Sequence, residues 1–149
     1  MARMEKPARR SNCPLNVALE LIGDHWSLLI LRDMIVGGKR RYGEFLNSME
    51  GISTNILASR LRQLDSHGIV EKFADPENRK CVIYLPTDKG VDLLPVMLEA
   101  MRWGMKHEPG CSVPAQLEHC LQHGCHDMVI ATRTAVMAER EELLRRSQA

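Results

Sequence analysis

Gly51-Ile52-Ser53-Thr54-Asn55-Ile56-Leu57-Ala58-Ser59-Arg60-Leu61-Arg62-Gln63-Leu64-Asp65-Ser66-His67-Gly68 carries its own punctuation. Gly51 breaks whatever precedes it, Ser53 has the short hydroxyl of a helix N-cap, and Gly68 suits the position just past a helix end. Leu57, Leu61 and Leu64 recur at helical spacing, so the pattern predicts a helix from Thr54 to His67. On a wheel of 100° per residue the opposite face holds Asn55, Ala58, Ser59 and Arg62. That face is small, polar and basic, with no acid among the four.

Upstream, Leu15, Ala18, Leu19 and Ile22 predict a first helix that Gly23 ends. Asp24 can cap a second helix with the stripe Trp26, Leu29, Ile30, Asp33 and Met34, stopped by Gly37-Gly38. Lys39-Arg40-Arg41 then leads into a short helix with Tyr42, Phe45, Leu46 and Met49 facing inward. Downstream the period changes. Ile69 to Phe73 alternates as a strand, Asp75-Pro76-Glu77-Asn78 reads as a turn, and Cys81 to Leu85 reads as a second strand, with Arg79 and Lys80 just past the tip. Thr87 or Asp88 caps a long helix through Val91, Leu94, Leu98, Met101 and Met105, which either kinks at Pro95 or begins near it. A loop over 108–114 and a last helix over 127–146 complete the chain, with no internal repeat.

The predicted fold is mainly α with a small β-hairpin. Two helices joined by a tight Gly-Ile-Ser turn and followed by a basic-tipped hairpin make a winged helix-turn-helix. In that arrangement the second helix of the pair enters the major groove, and small donors and cations on its outer face meet base edges or phosphates. The expected DNA-contacting residues are Arg40, Arg41, Ser53, Thr54, Asn55, Ala58, Ser59, Arg62, Asn78, Arg79 and Lys80. The N- and C-terminal helices are expected to form a dimer interface through Leu15, Leu19, Leu98, Met101, Trp103, Val136 and Met137. Val129, Val136 and Leu143 recur every seven residues, as do Ile130, Met137 and Leu144, but Arg133 and Arg140 interrupt the stripe, so a clean coiled coil is not expected.

Composition sets the outer bounds. At 149 residues, 44% hydrophobic and 26% charged, the chain has the balance of one ordinary globular domain. No run approaches the ~18 apolar residues of a bilayer span. The basic start, Met1 to Arg10, lacks the apolar segment of a secretory signal, so a cytoplasmic protein without membrane partners is expected. The net charge is +1, which excludes a uniformly basic coat. Lys39, Arg40, Arg41, Arg60 and Arg62 nevertheless face only Glu44 and Glu50 within 39–62, a local basic patch compatible with nucleic acid. Residues 1–12 read as a flexible basic tail, 13–107 as the DNA-binding domain, and 108–149 as a C-terminal extension of loop plus helix.

Five cysteines in such a chain do not suggest a disulfide framework. Cys13 opens the first helix beside Arg9 and Arg10, where a helix N-terminus and nearby cations favour the thiolate; it is the candidate redox residue. Cys111, His119, Cys120, His123, Cys125 and His126 form a second cluster, and His119 and His123 share a helix face. Paired Cys-x-x-Cys spacing is missing, so no cofactor is expected, and zinc or another transition metal is the minority reading. The competing function is a metal-binding or protein-interaction module built on this tail. An enzyme is not expected: there is no Gly-rich phosphate loop, no Gly-x-Ser-x-Gly and no His-Glu-x-x-His.

Cys13-Pro14 with Ala18-Leu19, Ile22-Gly23-Asp24-His25-Trp26 and Leu31-Arg32 open a series of motifs. Tyr42-Gly43-Glu44-Phe45, Gly51-Ile52-Ser53, Leu57-Ala58-Ser59-Arg60-Leu61, Leu64 and Gly68-Ile69-Val70 continue it. Tyr84 with Thr87, Lys89-Gly90, Leu93-Leu94-Pro95-Val96 and Trp103-Gly104 complete it. Over about residues 13–107 the series resembles the HxlR-type transcriptional regulators. The resemblance implies a dimeric bacterial winged-helix regulator, MarR-like and without enzymatic activity, acting on an inverted-repeat operator under an effector still to be identified. Some regulators that resemble this chain use a cysteine at the place of Cys13 to sense oxidants or electrophiles. Pro86 stands where the family usually has leucine and predicts that the second strand ends by Leu85. The tail from about Gly110 receives no role from the resemblance.

Overall fold

The computed structural model describes residues 8–149; residues 8–12 are exposed and non-helical, and the rest of the predicted basic tail lies outside the described residues. The elements are α1 (Pro14–Ile22), α2 (Ser27–Ile35), α3 (Tyr42–Leu46), α4 (Thr54–Ser66), β1 (Val70–Ala74), β2 (Val82–Pro86), α5 (Asp88–Val91), α6 (Leu94–His107), α7 (Ala115–His123) and α8 (His126–Gln148). The strands pair antiparallel in the register Val70↔Pro86 through Ala74↔Val82.

Local chemistry sets most boundaries. The Asp24 carboxylate accepts from the Trp26 and Ser27 N–H groups at 2.8 and 2.9 Å and from the Ser27 hydroxyl, so it caps the turn that starts α2. Ser53 Oγ accepts from the Ile56 N–H at 3.3 Å at the start of α4. The other end of α4 is a Schellman closure: Ile69 N–H donates to the Leu64 carbonyl at 2.9 Å, Gly68 N–H to Asp65 at 3.0 Å, and Gly68 has φ +67°. Thr87 caps α5, its Oγ1 accepting from the Gly90 N–H. Gly90 is a close approach, since a Cβ there would stand 2.2 Å from the Ile69 carbonyl oxygen.

The core gathers Leu31 and Met34 of α2, Phe45 of α3, Leu57 and Leu64 of α4, Ile69, and Leu94 and Leu98 of α6. Leu117 and Leu121 of α7 join the same cluster, so the extension packs into the core of the preceding segment. Burying side chains of this kind stabilises by roughly 1.5–3 kcal/mol each.

Several expectations change. Each strand keeps its expected five residues but lies one position later, so β1 ends at Ala74 and β2 includes Pro86. Thr87 N–H donates to the Ile69 carbonyl at 3.0 Å. Antiparallel ladders alternate, so Pro86 opposite Val70 occupies a position whose nitrogen faces away from β1 and loses no ladder bond. Of the two expectations at Pro95 the second holds: α6 begins at Leu94 with Pro95 in its first turn, and a separate short turn, α5, precedes it. Met49 does not face inward but is 96% exposed on the turn before α4. Helix α7 was not predicted as an element, and α8 is two residues longer at its C-terminal end than expected.

Candidate nucleic-acid interface

Helix α4 presents two faces. Leu57, Leu61 and Leu64 are buried, whereas Thr54, Asn55, Ser59 and Arg62 are exposed and Ala58 is half-buried between them. Tyr42 of α3 donates its hydroxyl to the Thr54 carbonyl at 2.7 Å, which ties α3 to the first turn of α4. Arg60 sits on the flank and turns away from this face, 3.5 Å from Asp24 and hydrogen-bonded to Gln63.

The turn that delivers α4 is held by an ion network. Arg32 of α2 grips Glu50 through two contacts of 2.7 and 2.9 Å and also meets Asp33 at 2.6 Å; Lys39 meets the other Asp33 oxygen at 2.7 Å. The Arg32 guanidinium pulls the Glu50 carboxyl down to about 2. Glu50 lies immediately before Gly51-Ile52-Ser53, so α2 and the entry to α4 are pinned to each other.

The hairpin is braced on both faces. Val70 and Tyr84 pack against the main core, and Lys72 reaches Asp65 of α4 at 3.1 Å. On the other face Ile83 and Leu85 are buried with Leu143 of α8, and Phe73 packs beside them. Arg41 joins the hairpin turn to the α3 segment: its Nε donates to Asp75 at 2.7 Å, which holds the buried Asp75 carboxyl below its ordinary value. Asn78, Arg79 and Lys80 are exposed at the tip. Between α3 and β2 runs a groove of about 640 Å³ bounded by Arg41, Tyr42, Lys80 and Tyr84.

Arg40 behaves differently from its neighbours. Its guanidinium donates to both Glu139 oxygens at 2.9 Å and to the Met34 carbonyl at 2.6 Å, so it is spent inside the protein rather than offered to a phosphate. Sequence spacing carried no sign of this, because the partner lies on α8.

The candidate interface residues divide. Leu15 and Leu19 on α1, Trp103 on α6 and Met137 on α8 are exposed. Leu98 and Val136 are buried within the protomer, and Met101 is half-buried against its core; helical wheel position alone could not distinguish the two surroundings. Val96 on α6, outside the expected set, is a further exposed apolar residue.

All five cysteines are free thiols. Cys13 is exposed at the N-cap of α1, where the backbone N–H groups of Asn16 and Leu15 hold its pKa below the ordinary thiol value. In the tail, the His119 and His123 rings stack at 4.5 Å and the Cys125 thiol donates to the Cys120 carbonyl at 3.0 Å. Burial pushes the Cys125 thiol up. Among the described residues no three His, Cys, Asp or Glu side chains converge as a metal site would need.

Residues 21–111 match the model of the HxlR-like helix-turn-helix family. The HTH-type transcriptional regulator YodB of Bacillus subtilis (strain 168) is 36% identical over 103 residues, 68% of this chain and 91% of that protein. The solved structure of reduced YodB from B. subtilis aligns with a TM-score of 0.55 at 34% identity, over 68% of this chain and 100% of the other. The redox regulator HypR in its oxidized form aligns with a TM-score of 0.57 at 28% identity, again over 68% and 100%.

Proposed function

Because the chain belongs to the HxlR-like helix-turn-helix family, whose relatives are transcriptional regulators and not enzymes, we propose that α4 is its recognition helix and duplex DNA its partner. The observation that carries this reading is the α4 outer face: Thr54, Asn55, Ser59 and Arg62 stand free while the leucines behind them are buried. Short polar side chains beside one arginine suit the donor and acceptor pattern of the major groove. Asn78, Arg79 and Lys80 at the wing tip supply phosphate contacts, and half-exposed Arg41 supports them from the α3 side. Arg40 is not assigned such a contact.

The protein acts as a homodimer on an inverted repeat. Leu15, Leu19, Val96 and Trp103 are large apolar groups left open on helices that flank the core, and pairing with a second copy covers them. Cys13 adds thiol control by oxidants or electrophiles, supported by its exposure and lowered pKa and by the redox regulator among its structural relatives. The protein works in the cytoplasm; no described helix is long and apolar enough to cross a membrane.

Selection of duplexes from a random library, followed by sedimentation of the complex, tests this. Two half-sites in inverted orientation about one helical turn apart, ~34 Å or a multiple, are expected. A free protein of protomer mass, 16.9 kDa, at micromolar concentration overturns the dimer.

A further inference from the structure

Helix α8 has 23 residues and is about 35 Å long at 1.5 Å per residue. Its course along the hairpin can be followed by its partners. Arg133 reaches Asp88 and Asp92 of the α5 segment at 2.9 and 2.5 Å. Arg140 grips Glu71 of β1 at 2.8 and 3.1 Å. Leu143 seats against Ile83 and Leu85, and Arg146 and Ser147 line a cleft of about 240 Å³ with Ala74, Asp75, Pro76 and Arg79. The helix therefore runs from the base of the wing to its tip, and its last turn ends beside Arg79.

We propose that this last turn is a second DNA-backbone contact, in which Arg145 and Arg146 take phosphates of the duplex that the wing tip approaches. The proposal rests on the reading of the hairpin as a DNA-contacting wing. Arg145 and Arg146 are 72% and 54% exposed in their side chains, and both pair with Glu142, at 2.9 and 2.8 Å. Exposed pairs hold their partners weakly, so a phosphate can replace the carboxylate. Arg79 and Arg146 line the same cleft, and Asp75 in its wall is occupied by Arg41, while Lys80 lies across the hairpin in the groove between α3 and β2. A cation of the wing tip and one of the last turn of α8 are thus brought side by side. Residues 112–149 lie beyond the segment that matches the family model, so this contact belongs to the extension of this chain.

The test uses the full chain and a labelled mixed-sequence duplex, titrated over a salt series. In the double variant Arg145→Gln/Arg146→Gln, the slope of log K against log salt should become shallower by ~0.9 per lost phosphate contact, about two units for each protomer bound. Arg145→Lys/Arg146→Lys should restore the wild-type slope, and Glu142→Gln should tighten binding by removing the competing carboxylate. A double glutamine variant with wild-type slope and affinity, or a lysine variant that restores neither, overturns the proposal. If Arg79→Ala flattens the slope and the α8 variant does not, only the α8 contact fails. If the wild-type chain shows no salt-dependent binding, the DNA-binding reading fails with it.

Discussion

Arg40 and Glu139 are 99 residues apart in sequence and meet through two parallel contacts, each 2.9 Å, from Nε and Nη2 to the two carboxylate oxygens. This fork-to-fork geometry fixes orientation as well as distance. It joins the basic segment before α3 to the middle of α8. Glu139→Ala leaves a guanidinium that is only 17% exposed without its carboxylate and should cost about 1–2 kcal/mol. Glu141→Ala, two positions further along α8 and exposed, should stay within ~0.5 kcal/mol. Urea unfolding of both variants measures the difference; equal midpoints would show that the Arg40–Glu139 pair contributes nothing to holding α8.

Arg62 and Arg79 are expected to differ in kind. If Arg62 reads a guanine edge, Arg62→Ala costs ~1–3 kcal/mol and relaxes specificity at one position per half-site. Arg79→Ala at the wing should instead weaken binding equally on all sequences and reduce the salt slope by about one unit per lost contact, one contact in each protomer. Titration on selected and random duplexes separates the two patterns. Unchanged affinity in both variants would sink the groove assignment and leave the winged helix as a fold alone.

Glu50 gives the fold a pH dependence of known sign. Its carboxyl moves from an ordinary 4.5 to about 2 under the Arg32 guanidinium. The folded state thus holds fewer protons there than the unfolded chain, and the stability from the pair is full above pH 4.5 and lost as pH falls toward 2. Solvent reaches the pair, so after screening its contribution is ~0.5–1 kcal/mol. Glu50→Gln should lower stability by that amount at neutral pH and match the wild type near pH 2. Denaturation curves at a series of pH values report it, and a constant gap across the series would rule out this origin.

Cys13 should be alkylated first among the five thiols of the reduced protein, since it combines exposure with N–H groups that favour the thiolate. Rate-resolved labelling with peptide mapping reads the order directly. Faster labelling of Cys81 or of a tail cysteine would remove the basis for thiol control at Cys13.

Helix α4 was legible because everything that defines it is local: the Ser53 cap, the leucine period and Gly68 at the end. The hairpin was legible for the same reason, apart from Pro86, whose tolerance depends on which edge its nitrogen faces. Helix α7 was missed because it is short and contributes only Leu117 and Leu121 to the core, too few to raise a period above the histidines and glutamines around them. Met49 was misread because its helical spacing from Phe45 continues past the end of α3, where the chain has already turned. Arg40 and Arg41 looked alike in sequence. Their fates are set by carboxylates 99 and 34 residues away, and no local pattern encodes such partners.

With the body of the protein on one face of the hairpin and α8 on the other, the wing is ordered before any DNA arrives. A free hairpin of two strands would be marginal in water and would lose conformational entropy on meeting the duplex. Here Leu143, Arg140 and Arg41 have already imposed that order during folding. If the tip meets the DNA backbone as proposed, it does so as a stiff prong, with association limited by orientation of the whole body rather than by the ordering of a loop.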